Sequence, residues 1–358
     1  MSSYDLLLLG AGHAHLGVLR RWALVERPPG RIALVSAGPA AWYSGMLPGL
    51  LAGRFQAEDC RVELQPLCRA AKVELIDAQV TALEADSRRV QLADGRTLEA
   101  RWLSLNVGGQ VIAPAHSGEG LEVLAVKPFD AFVQGWTAWQ QAPQPLAILG
   151  GGAAGVELAL AVVDRVPVLS LFCAGPLLAG LNPGLRLRAL GHLRQRGVRV
   201  REHCPIDRCE DDALFSGPLC VWRGPRLLLA SGAQAWPWLA SSGLRCDERG
   251  FVEIGRTLQS HSHPALFAVG DCASLPGAAK SGVYAVRQGP VLAANLSAVL
   301  RGLPLRRYRP QRHSLALLAT GDGGALLGWR TWSAGGPLCG RWKDWLDRGF
   351  IQRHRLPE

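Results

Sequence analysis

The segment LLLLGAGHAHLG at positions 6–17 carries an apolar strand into a glycine turn and then into a helix. A second segment of the same form, LAILGGGAAGVELA, lies at positions 146–159. In such a turn the first glycine permits a tight bend and the second lets a pyrophosphate approach the backbone. The N–H groups at the helix start then bind the phosphates. Two such turns in one chain predict two dinucleotide-binding units.

The elements around the two turns predict an α/β protein. Each turn starts a β-α-β unit, and short strands predicted at 73–77, 80–84, 90–92 and 98–105 complete the first one. We expect two Rossmann-like, three-layer domains, the second inserted into the first, plus a small C-terminal segment. The first domain is expected at 1–113 and 245–310, the second at 114–244, and the C-terminal segment at 311–358.

Composition limits the function classes. The 358 residues are 48% hydrophobic and include 42 glycines, which is typical of a globular protein of two domains. The formal charge of +10 resides mainly in arginines, many of them after position 300, but no nucleic-acid motif accompanies them. We therefore expect no nucleic-acid partner. No membrane span or secretory leader is visible, and nine cysteines without a CxxC pair favour reduced thiols in the cytoplasm.

The segment HPALFAVGDCA at 263–273 is expected to return the chain to the first domain. Its apolar strand stops at Gly270, and Asp271 follows. This aspartate either accepts a hydrogen bond from a ribityl hydroxyl or caps a helix. Because two dinucleotide turns precede it, we favour the flavin contact.

With these residues the chain resembles the superfamily of flavoproteins that have two dinucleotide-binding domains. The resemblance implies FAD at the first turn and NADH or NADPH at the second. Within the superfamily the chain is similar to type II NADH dehydrogenases, which pass electrons from flavin to quinone without a redox disulfide. The pattern AVRQ at 285–288 resembles their AxxQ motif, which implies acceptor contacts at Ala285 and Gln288, although an ordinary packed helix fits the same letters.

A closer resemblance rests on YSGMLPG at 43–49, KSGVYAVRQGP at 280–290 and RWKDWLDRGF at 341–350. With GAGHAHL, these segments are similar to dehydrogenase-like flavoproteins that occur alone or fused ahead of selenide, water dikinase. The resemblance implies a link to selenium metabolism and that dikinase as a partner.

The resemblance also implies the cofactor contacts. Those to FAD are Gly10, Gly12, His13, Ala14, Ser36, Met46, Val80, Val107, Gly108, Gly270, Asp271, Ser281, Gly282 and Val283. Those to NADH or NADPH are Gly150, Gly152, Ala153, Ala154, Gly155, Glu157 and Gly232.

Two residues are catalytic candidates. Glu157 matches the glutamate that approaches nicotinamide in related reductases, or it complements the helix dipole as a first-turn acid. Lys280 precedes a helix expected to point at the flavin, where a cation would stabilise the reduced form, or it is a surface lysine. No metal site is expected, because His13 and His15 have no other ligands nearby.

Three residues depart from the expected patterns. His15 stands where a third glycine is usual, which predicts wider packing of helix and strand or an imidazole that points away. Ser36 stands where an acid would bind the adenosine ribose of FAD. Cys173 ends the corresponding strand of the second unit, with neither acid nor arginine, so NADH and NADPH stay undecided.

We expect an FAD-dependent NAD(P)H oxidoreductase that passes electrons to a quinone or to a selenium- or sulfur-linked acceptor. One alternative is a sulfide- or selenide-handling flavoprotein with Cys339 or Cys272 as nucleophile. Another is a flavin-holding binding protein whose nicotinamide site has decayed.

The stretch 338–354 is predicted to be an amphipathic helix, with apolar Trp342, Trp345, Leu346, Phe350 and Ile351 among basic residues. It is expected to contact a membrane surface, to pack on the body of the protein, or to form a homodimer seam. The first choice would place the protein peripherally on the inner membrane surface.

Overall fold

The computed structural model describes residues 2–356. The first part forms β1 (Ser2–Leu9), α1 (His13–Leu24), β2 (Ile32–Ser36), β3 (Ala40–Trp42), α2 (Leu47–Leu51), β4 (Arg61–Glu63), α3 (Leu64–Ala70), β5 (Glu74–Asp77), β6 (Val80–Glu84), β7 (Arg89–Leu92) and β8 (Thr97–Leu105). The middle part forms β9 (Ala115–Ser117), β10 (Glu122–Ala125), α4 (Phe129–Gln140), β11 (Leu146–Leu149), α5 (Ala153–Val162), β12 (Leu169–Phe172), α6 (Pro183–Gln195), β13 (Arg199–Arg201), β14 (Arg208–Glu210), β15 (Ala213–Ser216), β16 (Leu219–Arg223), β17 (Arg226–Leu229) and α7 (Pro237–Ala240). The last part forms β18 (Val252–Glu253), β19 (Leu266–Ala268), β20 (Ala273–Ser274), α8 (Gly282–Arg301), β21 (Ala316–Ala319), β22 (Ala325–Trp329), β23 (Trp332–Gly336) and α9 (Pro337–His354).

The first large sheet has the order β5-β2-β1-β8-β7-β6, and β19 also pairs with β8. Strands β5, β2, β1, β8 and β19 run parallel, whereas β7 and β6 are antiparallel additions. Parallel strands need both faces covered; β2 is accordingly buried along its length, and so is the apolar part of β1, residues 6–9. The pairing of β19 with β8 returns the chain to this sheet after the intervening segment 106–265, which we call the excursion.

The excursion forms a second parallel sheet, β10-β17-β11-β12-β13, with a small sheet β16-β15-β14-β9 beside it. Its strands lie between β8 and β19 in sequence. The predicted fold class, a second Rossmann-like unit inserted into the first, is therefore confirmed. The exact domain boundaries given above stay predictions.

Helices α1 and α8 pack closely because glycines meet at their contact. A Cβ built on Gly289 would lie 3.2 Å from the carbonyl oxygen of Ala14, and one built on Gly17 would lie 3.8 Å from the Cα of Gly289. This pair of helices covers the first sheet beside the turn at residues 10–12 and the turn at Gly270.

The C-terminal segment forms the antiparallel sheet β21-β22-β23 and the helix α9. Phe350 and Ile351 of α9 are buried against the body of the protein, whereas Trp342 and Trp345 are 42% and 68% exposed. The predicted apolar stripe is thus divided between two faces. Of the helices within residues 2–356, none combines the length and apolar character that crossing a bilayer requires.

Candidate functional site

Asn106, directly after β8, organises the first glycine turn. Its Oδ1 accepts hydrogen bonds from the N–H groups of Ala14 and His15, at 3.1 and 3.2 Å, and its Nδ2 donates to the carbonyl oxygen of Val269 at 3.0 Å. A Cβ on Gly12 would lie 2.4 Å from Oδ1, and one on Gly270 would lie 2.7 Å from Nδ2. The glycines at these two turns are therefore required by Asn106 as well as by any phosphate.

His15 corrects one expectation. Its ring does not point away, because it is fully buried and reaches Ser104 of β8. Burial lowers its pKa to about 4, so the imidazole is neutral. Nδ1–H then donates to the carbonyl oxygen of Gly10 at 2.6 Å, and Nε2 accepts from the hydroxyl of Ser104 at 2.8 Å. The histidine replaces the usual glycine by hydrogen-bonding the turn that precedes it.

The structure brings most of the predicted FAD contacts to one edge of the first sheet. They follow the carboxyl ends of parallel strands β1, β2, β8 and β19 or begin the helices α1 and α8: Gly10, Gly12, His13, Ala14, Ser36, Val107, Gly108, Gly270, Asp271, Ser281, Gly282 and Val283. Met46 is buried in the loop before α2, and Val80 begins β6. Ligands bind at this edge in open α/β sheets.

The residues at this edge fit a flavin dinucleotide. A Cβ on Gly108 would meet nothing within 4 Å, so the backbone there is open to a ligand. The N-terminus of α8 has no side-chain cap from Ser281, which leaves N–H groups for an acidic or carbonyl ligand atom. The buried Nε2 of His13 has no hydrogen-bond partner within residues 2–356. A bound dinucleotide would satisfy such groups.

An acid lies next to Ser36 on the neighbouring strand. Asp77 ends β5 and is the register partner of Ser36, and its Oδ1 accepts from the N–H of Gly38 at 2.9 Å. Sequence reasoning missed this placement, because it considered only the end of β2. The second unit shows the same displacement: Glu202, just after β13, accepts from the N–H of Leu177 at 2.6 Å and pairs with Arg186.

The turn at Gly270-Asp271 is fixed from two sides. Gln288 is 3% exposed, and its Oε1 accepts from the N–H of Gly270 at 2.8 Å. Lys127 approaches Asp271 at 3.2 Å from the inserted domain. Ala285 is also buried on α8, so these two predicted acceptor residues face the interior. Their contact with an acceptor stays a prediction.

Lys280 lies just before α8, as expected, but its ammonium is already engaged. Nζ donates to the carbonyl oxygen of Ala273 at 2.6 Å and lies 3.6 Å from the centre of the Phe251 ring. Burial lowers its pKa. A role beside the flavin stays a prediction.

The second glycine turn borders a pocket of about 720 Å³. Gly150, Gly152 and Gly232 are among its lining residues, with Cys173 and Gln234. A Cβ on Gly155 would lie 1.8 Å from the carbonyl oxygen of Gly150, so only glycine lets α5 start this close to the turn. Ala153 and Ala154 begin the first turn of α5. Its N-cap residue is Gly152, which has no side chain to cap the helix. Within residues 2–356 no charged side chain lines this pocket.

Glu157 joins a charge cluster in which Lys343 and Asp347 are buried, whereas its own side chain is 14% exposed, and its contact with nicotinamide stays a prediction. Its Oε1 accepts from the N–H of Ala319 at 2.8 Å and lies 3.6 Å from Nζ of Lys343. Lys343 also donates to Asp347 at 3.0 Å and to the carbonyl oxygen of Gly45 at 3.0 Å. We call Glu157, Lys343, Asp347 and Tyr43 the buried cluster, since the Tyr43 hydroxyl donates to Asp347 at 3.1 Å.

The buried cluster holds two carboxyl groups and one ammonium. Burial raises the pKa of Glu157 and of Asp347. Burial alone would lower the pKa of Lys343, but the two carboxylates outweigh it and raise the pKa, so the ammonium stays charged. The cluster therefore retains a proton on a carboxyl group at higher pH than an exposed carboxyl would.

An aromatic group joins the buried cluster to the first glycine turn. The ring of Tyr43 stacks on Phe350, with centroids 4.3 Å apart, and meets His13 edge-on at 5.4 Å. Sequence reasoning gave no role to Lys343 or Asp347. Their spacing of four residues on a predicted helix, on the same side as Phe350 and Ile351, was the available signal.

The nine cysteines, all within residues 2–356, form no disulfide. Cys272 is fully buried, and its Sγ donates to the carbonyl oxygen of Val269 at 3.2 Å. Burial raises its pKa to about 11, so its thiol is not a ready nucleophile. Cys339 is half-buried in the first turn of α9.

Residues 4–289 match the model of one protein family, described as pyridine nucleotide-disulphide oxidoreductase. The chain belongs to this family. It is 22% identical to a type II NADH:quinone oxidoreductase of Staphylococcus aureus, over 94% of this chain and 91% of that protein. The family is one of flavoenzymes, so the chain is an oxidoreductase that uses FAD and NADH or NADPH.

Solved structures share the fold. The sulfide:quinone oxidoreductase of Aquifex aeolicus superimposes with a TM-score of 0.80 at 17% identity, covering 99% of this chain and 92% of that one. The water-forming NADH oxidase of Lactobacillus brevis gives 0.77 at 18% identity, covering 91% and 75%. The resemblance to proteins fused ahead of selenide, water dikinase has no counterpart among these relatives.

Replacing Lys343 tests the buried cluster. We expect Lys343→Met to lower the free energy of unfolding by about 3–5 kcal/mol, because the buried Asp347 and the largely buried Glu157 lose the one cation that lies within 4 Å of them in residues 2–356. Urea unfolding measures this loss. Arg341→Met, at an exposed position of the same helix, should change stability by less than about 0.5 kcal/mol.

The loss should also depend on pH. Both carboxyls have folded-state pKa values raised above the ordinary value of about 4, so the native state binds more protons than the unfolded chain, and stability falls as pH rises through this range. Without Lys343 these pKa values rise further, so the variant should lose less stability at about pH 5 than at about pH 8. If Arg341→Met and Lys343→Met lost equal free energy of unfolding at both pH values, the result would contradict the role given to the buried cluster.

Proposed function

We propose that this protein takes hydride from NADH or NADPH onto FAD and passes the electrons to a small acceptor, a quinone or a selenium- or sulfur-linked compound. No redox disulfide takes part. The observation that carries the proposal is the pair of glycine turns, each at the carboxyl edge of a parallel sheet and each opening a helix whose N-cap residue is glycine. Bound FAD supplies the two-electron carrier between nucleotide and acceptor.

The chain's own residues then have distinct tasks. The backbone N–H groups around Gly12 and at the start of α8 hold the flavin dinucleotide, and Asn106 fixes the geometry of that turn. The pocket beside Gly150 and Gly152 holds the pyridine nucleotide, and its apolar walls exclude water from the bound nucleotide. The buried cluster ties α5 to α9, and burial raises the pKa of both of its carboxyl groups.

A quinone acceptor is favoured by the distant relative and by the free face of α9. Leu338, Trp342 and Trp345 follow one another at helical spacing and are 78%, 42% and 68% exposed. Arg341 and Arg348 flank them. Such a face suits peripheral contact with an anionic membrane surface, where quinones reside.

A sulfide- or selenide-handling activity is less well supported, because Cys272 is buried with a raised pKa and Cys339 lies on α9. Partnership with selenide, water dikinase rests on the motif resemblance alone. The expected contacts of Ala285 and Gln288 with an acceptor require that it approach from the flavin side of α8.

The first half-reaction tests the proposal. FAD-loaded protein mixed with NADH or NADPH without oxygen should lose its yellow absorption with at least one nucleotide. Gly155→Ala should slow this reduction about 100-fold, because its Cβ would lie 1.8 Å from the carbonyl oxygen of Gly150 and displace the nucleotide turn.

Gly191→Ala on α6 is the matched control, since a Cβ there meets nothing within 4 Å, and it should reduce at the wild-type rate. Both variants should retain FAD. An unchanged spectrum of the wild-type protein with both nucleotides would refute the proposal and favour a flavin-holding binding protein.

Membrane contact is tested separately by flotation with phosphatidylglycerol vesicles. We expect the wild-type chain to float and the double substitution Trp342→Ser/Trp345→Ser to remain largely at the bottom, because it removes most of the apolar face. Leu187→Ser, at a 66% exposed position of α6, should float like the wild type. Failure of all three to float, with loss of a dimer in the double variant alone, would assign this face to a homodimer seam.

A further inference from the structure

A pocket of about 250 Å³ lies on the outside of the first domain, where α1, α8 and the end of α9 meet. Gly17 lines it without a side chain, at the close contact of α1 with α8. The lower walls are formed by Phe350 and His354, which are buried and whose rings are tilted by 36° with centroids 4.3 Å apart. The pocket is separate from the one beside Gly150.

The upper walls are apolar and open to solvent. Leu24 and Val25 at the end of α1 are 55% and 70% exposed, and Val286 on α8 is 39% exposed. Pro290 completes this side. When an apolar ligand group covers exposed aliphatic side chains in a concave site, the burial of their apolar surface favours binding.

The rim carries positive charge only. Arg20, Arg21 and Arg353 line the pocket, and no aspartate or glutamate does so within residues 2–356. Arg20 donates through Nε to the carbonyl oxygen of Arg353 at 2.7 Å, which holds its guanidinium at the rim. None of the three arginines forms an ion pair in the described chain. The adjacent Glu26 is already paired with Arg301, outside the pocket.

We propose that this pocket binds a small amphipathic anion, with its apolar ring or chain between α1 and α8 and its acidic group on the three arginines. Three guanidiniums without a counter-charge recognise a carboxylate, sulfonate or phosphate through charge-assisted hydrogen bonds. The volume is below the usual range of about 300–1,000 Å³ for small-molecule sites, so the ligand is a compact molecule and not a dinucleotide. The proposal goes beyond the redox function and does not depend on it.

The pocket shares residues with the flavin edge. His13, the first residue of α1, lines the pocket, and the ring of Phe350 stacks on Tyr43 of the buried cluster. A ligand in this pocket would therefore contact, from the outer side, the same start of α1 that is proposed to hold the dinucleotide.

Calorimetric titration of the FAD-loaded protein with naphthalene-2-sulfonate tests the proposal without any nucleotide or electron acceptor. We expect saturable binding of the sulfonate, and much weaker binding of uncharged 2-naphthalenemethanol and of inorganic sulfate. The double substitution Arg21→Gln/Arg353→Gln should weaken sulfonate binding at least about tenfold. Val286→Glu, which places a negative charge in the exposed wall, should abolish it.

Arg69→Gln/Arg199→Gln is the matched control, because it removes the same charge from two exposed positions outside the pocket and should bind as the wild type does. Absence of sulfonate binding, or binding that both double variants weaken equally, would overturn the proposal. Because no electron transfer is measured, a negative result here leaves the redox function untouched, and a protein that does not oxidise NADH or NADPH still reports on the pocket.

Discussion

The side chain of Asn106 holds three parts of the first domain together. It follows β8, satisfies two N–H groups at the start of α1, and donates to the last carbonyl before Gly270. Buried amides that lose such partners cost free energy, so the carboxyl ends of β1, β8 and β19 are kept in one arrangement. The glycines on both sides follow from this, since a Cβ on Gly12 or Gly270 would overlap the amide. Protein contacts alone thus set the shape of the edge at which we expect a dinucleotide to bind.

A second constraint joins the three parts of the chain. The buried cluster places Glu157 of the inserted unit, Lys343 of α9 and Tyr43 of the first domain in one network. Charges in such a site are tolerated only when they are paired, and one lysine serves both carboxyls. The C-terminal helix α9 is therefore part of the electrostatic surroundings of α5, the helix that starts at the second glycine turn.

Much of the fold could be predicted because local patterns determine it. The two glycine turns, the alternation of strands with helices and the return at Gly270-Asp271 each have a short-range cause, and the observed elements lie within a few residues of those expected. The contacts of Asn106 could not be foreseen, since its partners lie 91 to 163 residues away in sequence. His15 shows why a departure from a motif is ambiguous: its ring replaces a missing glycine contact by hydrogen-bonding Gly10 and Ser104, which only the packed structure reveals. The acids Asp77 and Glu202 were overlooked because strand register, and not sequence order, places them beside the expected positions.

We propose that the edge organised by Asn106 holds FAD. A visible absorption spectrum of the purified protein, recorded before and after incubation with FAD and removal of the excess, tests it most directly. We expect a flavin band that stays with the protein through gel filtration. A protein that is colourless as purified and remains so after incubation would contradict it.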